Sequence, residues 1–333
     1  MLLPKRSCPP DSLARLLVTD SDNDLSGILL RRSGREASAT RRPRKPGTPG
    51  TLRPGIRPEE LLIGVSAYRL PADRNAILFQ VGARRPAPAT APGWQGPQAP
   101  YEAPPSLTAL LAAGVDAGLL TVSGTGPGRG AASTATWLFD PDLAAALHEE
   151  LAATGRSADL ARAHRRAAEY WQWRAAAWPQ DRRADIRDLL EARHHLFRAG
   201  DAGAACAITR QVCAQLRTWC ETEREVRLIS STVGQLPDRT VIRARWLHEL
   251  GAVTAARGDH DDASRHYRES AAICRARGDH AGVARAEHSL GILAQAQGEY
   301  RRADRHYRRS AAAQRRASAA PPARTPGYRR GVG

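Results

Sequence analysis

Apolar residues along this chain fall mostly at three- and four-residue spacings, the pattern of helices buried along one side. The first sustained run begins after Arg57. Pro58-Glu59-Glu60 suits a helical first turn, and Leu61, Leu62, Val65 and Tyr68 share a side. Pro71 and Asp73 punctuate it, and Ala76-Ile77-Leu78-Phe79 predicts a second short helix. Ser106 caps a third, from Leu107 to about Ala113 or beyond. The period then changes: Leu119–Val122 and Thr134–Phe139 are β-like runs around the glycine-rich Gly124–Gly130, which predicts a hairpin. Asp140-Pro141-Asp142 opens a helix through Leu143, Leu147 and Leu151, closed at Thr154-Gly155. From Ala158 to Phe197 the chain is helical and rich in arginine, with Trp171, Trp173 and Trp178, and Pro179 must break it. Ile186–Gly200 with Ala204–Leu216, then Glu223–Leu236, add helices before Pro237.

Beyond Pro237 the sequence repeats itself at an offset of 40. Leu250-Gly251 aligns with Leu290-Gly291, Gly258 with Gly298, and Ala263 with Ala303. Arg265-His266-Tyr267-Arg268 aligns with Arg305-His306-Tyr307-Arg308, and Ser270-Ala271-Ala272 with Ser310-Ala311-Ala312. A fixed period of this size marks stacked supersecondary units, each here a pair of helices. A Leu-Gly pair where helices cross, then a small Ala with a ring four residues on, resembles tetratricopeptide repeats lengthened by a longer second helix and the Arg277–His280 connection. The resemblance makes Leu250, Gly251, Ala263, Tyr267, Leu290, Gly291, Ala303 and Tyr307 the repeat-packing set. The helices of 156–240 are expected to be degenerate repeats extending the stack, because two units alone bury little continuous core.

Composition narrows the reading. Apolar residues make up 42% of 333 residues but aromatics only 5%, which favours helices packed on small side chains over a large β core. No apolar run approaches the length of a membrane span, and the N-terminal segment carries Asp20, Asp22 and Asp24 where a signal peptide would be apolar. Five cysteines without paired spacing fit free thiols, so a cytoplasmic location is expected. The net charge of +16 suggests a polyanion until it is located. Residues 1–57 carry 12 basic and 5 acidic groups and residues 301–333 carry 10 and 1, leaving the middle balanced. Segments 1–57 and 316–333 read as disordered basic ends, with weak, salt-sensitive attraction to polyanions and no specific nucleic-acid recognition. Ala83–Pro105 reads as a long loop.

No catalytic constellation emerges. Gly124–Gly130 lacks the Gly-Lys-Ser/Thr of a phosphate loop, and the chain's two lysines, Lys5 and Lys45, do not follow glycine. Cys206, Cys213 and Cys220 recur every seven residues, too far apart for shared metal ligation, and read as buried thiols. His148-Glu149 and His194-His195 lack metalloprotease spacing. Neither a metal nor a cofactor is expected.

The fold class expected is mainly α, a winged-helix-like domain (58–155) followed by a helical region (156–240) and an α-solenoid of two tetratricopeptide-like hairpins (241–315). Major-groove reading needs Arg, Lys, Asn or Gln on the third helix, and Leu107–Gly114 has none, so DNA recognition by this module is disfavoured. In the tetratricopeptide family the first helix of each hairpin lines a concave groove. That resemblance places Arg245, His248, Arg285 and His288, joined by Gln295, in a groove facing a protein or peptide ligand with carboxylates. His266 and His306 are expected on the outer face or between repeats. Such repeats can also self-associate. The order of the modules, with Gly64–Arg69 and Asp188–Leu196, resembles the C-terminal half of STAND-type signalling NTPases of bacteria. The NTPase domain itself is missing, and the histidine expected near Phe139-Asp140-Pro141 is replaced. The resemblance therefore implies an interaction role without ATPase activity. A non-catalytic scaffold leads, ahead of a DNA-binding regulator and of a half-enzyme needing a separate nucleotide-binding subunit.

Overall fold

The structure, a computed structural model, describes residues 58–82, 105–124, 135–177 and 182–319. The expectations for 1–57, most of the 83–105 loop, the 125–134 turn, Trp178, Pro179 and the end of the chain lie outside the described residues. The chain divides into two compact units, one ending at Ala205 and the other beginning at Cys206.

The first unit opens with α1 (Pro58–Ser66), whose Glu59 and Glu60 sit at the positive end of its dipole and which buries Leu61, Ile63 and Val65. A short β1 (Ala72–Asp73) leads into α2 (Arg74–Gln80), capped by the Asp73 carboxylate, which accepts from the Ala76 amide at 2.8 Å. Next come α3 (Pro105–Asp116), β2 (Leu120–Ser123) and β3 (Thr136–Phe139). The predicted hairpin is thus one part of a three-stranded antiparallel sheet of order β1-β3-β2, in which Ala72 faces Trp137 and Leu120 faces Phe139. Two residues are too few to show a period of two, so β1 left no sequence signal. Helix α4 (Pro141–Ala153) is capped by Asp140, which accepts from the Asp142 and Leu143 amides.

Helices α5 (Ser157–Ala177) and α6 (Arg182–Arg198) pack on each other within this unit, and α5 also packs on α1 and α2. The compact unit extends past residue 155 to Ala205. The reason is aromatic: Tyr170 of α5 meets Tyr68 edge-on at 6.2 Å and Phe79 at 5.7 Å, and Trp173 meets Phe79 at 5.5 Å. These rings are buried together with Ile77 and Leu78 of α2, and the hydrophobic effect keeps such a contact in one unit. Paired charges flank it, Arg69 with Glu191 at 2.8 Å and Arg174 with Asp188 at 3.0 Å.

The second unit is a row of helices: most of α7 (Ala202–Thr218), α8 (Thr222–Gln235), α9 (Val241–Ala256), α10 (His260–Ala276), α11 (His280–Ala296) and α12 (Tyr300–Ala319). Gly258, Gly278 and Gly298 end α9, α10 and α11 with φ of +88°, +69° and +78°. After each, the next amide bonds back to the helix, Asp259 to the Thr254 carbonyl, Asp279 to Cys274 and Glu299 to Ala294. Helix α7 ends in the same way on Cys220 at φ +56°, with Glu221 bonding back to Leu216. Of the three spaced thiols, Cys206 and Cys213 are buried, but Cys220 is exposed because it occupies this turn.

Candidate repeat surface

The two repeats are built on one contact plan. A Cβ added at Gly251 would lie 2.7 Å from the Tyr267 ring, and one at Gly291 would lie 2.5 Å from the Tyr307 ring. Glycine is therefore needed for close approach of first helix to second, not for its backbone freedom. Leu250, Leu290, Ala263 and Ala303 are all buried, and Ala263, Tyr267, Leu290 and Leu293 form one cluster that joins the hairpins. A second repeated contact was visible only as an aligned serine. The Ser270 hydroxyl donates to the Ala244 carbonyl at 2.7 Å, and Ser310 to the Ala284 carbonyl at 2.8 Å. Each satisfies itself on the backbone of the neighbouring helix, so its burial leaves no hydroxyl unpaired.

The candidate groove residues divide into two kinds. Arg245 and Arg285 are exposed at equivalent places on α9 and α11, and neither has an ion-pair partner among the described residues. His248 is half-buried, its Nε2 3.0 Å from the Ser289 hydroxyl and its ring 5.2 Å from Tyr267. Burial, with Arg285 nearby, lowers its pKa. His288 is exposed and packs its ring on Tyr307 at 5.5 Å. Gln295 is also exposed, and its Oε1 accepts from the Tyr307 hydroxyl at 2.8 Å. The five residues do not form one uniform ladder: His248 ties one hairpin to the next, Gln295 is bonded within its own, and the arginines are free.

Ile292, 53% exposed, stands one turn beyond His288 on the side of α11 that also carries Arg285 and Gln295. The repeat alignment sets it against Ala252, and only its exposure marks it as part of the surface. His306 is not an outer-face residue. It is buried, with Nδ1 2.8 Å from a carboxylate oxygen of buried Glu287, whose other oxygen accepts from Arg275 at 3.2 Å. The first repeat holds Leu247 at the place of Glu287, so this polar link, which ties α10 of the first hairpin to α11 and α12 of the second, is not repeated within the first.

The first unit holds another unusual group. His164 and His195 are buried with their Nδ1 atoms 3.0 Å apart, and neither Nε2 has a hydrogen-bond partner among the described residues. Burial is the main force pushing their pKa values down, to about 3 for His164 and about 2 for His195. Both rings are thus neutral, one donating and one accepting through Nδ1. Among the described residues no group of His, Cys, Asp or Glu is arranged to hold a metal ion, and no helix is long and apolar enough to cross a membrane.

Residues 242–316 match the family model described as tetratricopeptide repeat. No curated protein matches the chain. Solved structures similar to it include two titled "Crystal structure of MamA" and "Crystal structure of MamA protein". Both are 14% identical with a TM-score of 0.29. The first alignment covers 52% of this chain and 96% of that one, the second 51% and 89%. The chain is mainly helical, and residues 242–316 form a tetratricopeptide-type array, an architecture that typically serves as a non-catalytic protein-interaction scaffold.

Proposed function

We propose that this protein is a non-catalytic, cytoplasmic scaffold whose repeats hold a partner polypeptide rich in carboxylates. The observation that carries the reading is the pair of unpaired guanidinium groups, Arg245 and Arg285, repeated at one place on successive hairpins, with exposed Ile292 beside the second. A guanidinium takes a carboxylate through two parallel hydrogen bonds, and an adjacent apolar contact adds affinity that salt does not screen. His288 and Gln295 border the same strip, whereas His248 holds the hairpins in register.

The first unit is read as a winged-helix-like domain. Support comes from the element order α1-β1-α2-α3-β2-β3 and from a sheet in which the last strand lies between the other two. With the repeats, it supports kinship with the C-terminal half of STAND-type signalling proteins. DNA reading by α3 is not favoured, because Leu107 and Leu111 are buried in the core and the rest of the helix offers no base-reading side chain.

The test is peptide binding by the full chain. Peptides rich in Asp and Glu and ending in a free carboxylate are expected to bind. Arg245→Glu with Arg285→Glu should weaken binding at least about a hundredfold, since two charge-assisted pairs are removed and each is worth about 1.5–3 kcal/mol. Circular dichroism should show unchanged helicity. Undiminished binding by the folded double variant would reject the groove.

A further inference from the structure

Helix α12 repeats α10 at an offset of 40, so one is an internal control for the other. On its outward side α10 alternates in sign, with Asp261, Arg265 and Glu269 one turn apart and all exposed. The same positions of α12 are Arg301, Arg305 and Arg309, also exposed, and none has an ion-pair partner among the described residues. At the edges of this row Arg302 is neutralised by Glu299 at 2.6 Å and Arg308 by Asp304 at 3.0 Å. Arg316 extends the same side toward the end of the helix. Four helical residues rise about 6 Å, so guanidinium groups recur at about that interval.

Like charges one turn apart repel and weaken a helix. Nothing in the hairpin requires them, since α10 buries Ala263 with alternating charges just as α12 buries Ala303. The counter-charge must therefore come from outside the fold. We infer that the outward face of α12 binds the phosphate backbone of nucleic acid without reading its bases. A stable protein interface has an apolar core, but among the described residues no exposed large apolar side chain of α12 lies on the side of the row. Tyr300, 71% exposed, begins the helix on a different side. Interfaces with nucleic acid are polar and strongly positive, and the guanidinium fork matches phosphate oxygens. Phosphate contacts carry no sequence information, so the binding is sequence-independent. This inference does not rest on the groove of α9 and α11.

The experiment measures anisotropy of a labelled oligonucleotide, single-stranded in one arm and duplex in the other, with the full chain over a salt series. Arg301→Asp with Arg309→Glu gives α12 the residues that α10 carries, a pattern a folded hairpin already tolerates, and also pairs Arg305. With three arginines withdrawn from phosphate, the plot of log affinity against log salt becomes shallower by about 2.7 for duplex and about 2.1 for single strands. A second variant, Arg210→Asp with Arg268→Glu, changes net charge equally at exposed sites elsewhere and should keep the original slope. Equal slopes in the two variants would overturn the assignment, because net charge alone would then suffice. So would absence of binding at low salt, or preferential competition by polyglutamate, which would make the face a site for acidic protein.

Discussion

At Gly251 two opposing effects differ enough to predict an outcome. Alanine favours helix over glycine by up to ~1 kcal/mol, whereas overpacking a dense contact costs ~1–3 kcal/mol. The added Cβ would lie 2.7 Å from one ring atom of buried Tyr267 and 2.8 Å from another, so overpacking wins. Gly251→Ala is expected to lower stability by about 1–2 kcal/mol in urea unfolding, and adding Tyr267→Leu should recover part of that stability. A stabilised single variant would refute the close approach. The repeat alignment alone marked Gly251 and Tyr267, because a close approach constrains residue type at both ends. It could not mark what Ser270 and Ser310 bond, since their acceptors are main-chain carbonyls that any residue supplies. Nor could it separate His248, bonded across the hairpins to Ser289, from His288, because the position equivalent to Ser289 forty residues on lies outside the described residues.

Helix ends set the spacing of the array. Left-handed residues follow α7, α9, α10 and α11, and three of the four are glycine. Holding an ordinary residue there costs roughly 1–2 kcal/mol. Cys220→Gly at φ +56° should therefore stabilise the second unit by about 1 kcal/mol, and Gly278→Ala at φ +69° should destabilise it by a similar amount. Thermal unfolding of the two variants measures both signs. Shifts in the same direction would mean that the turns do not share one geometry. Cys220 takes the turn conformation without the glycine that announces it, so the sequence period vanishes where the backbone pattern continues.

On the scale of the molecule, acid acts mainly on the first unit. His164 and His195 titrate near 3 and 2 when folded, against about 6.5 unfolded. A depressed histidine pKa means that the unfolded chain binds the extra protons, so their stabilisation is present above about 6.5 and lost as pH falls toward about 3. His148 and His194 shift in the same direction, chiefly through burial. Asp188 acts oppositely below about 6, because burial raises its pKa despite Arg174 at 3.0 Å. The buried histidines outnumber that single carboxyl, so stability falls as the pH drops below about 6. Urea unfolding at pH 7.5 and pH 5, followed by hydrogen exchange in 58–205, is expected to show the first unit weakening. Replacing both histidines with glutamine should flatten the dependence, and an unchanged slope in that variant would discard the assignment.

Periodicity in the sequence was enough to determine the helical class, the hairpin repeat from Val241 onward and the glycines on which its rings rest, because each of these constrains residue type locally or at a fixed offset. Tertiary structure alone decided that α5 and α6 belong with α1 and α2, that a two-residue strand completes the sheet, and that Glu287 and His306 meet in the interior. Those outcomes depend on which aromatic faces and buried charges find each other across long separations. A single sequence records the residues available for such meetings but not the pairing that burial selects.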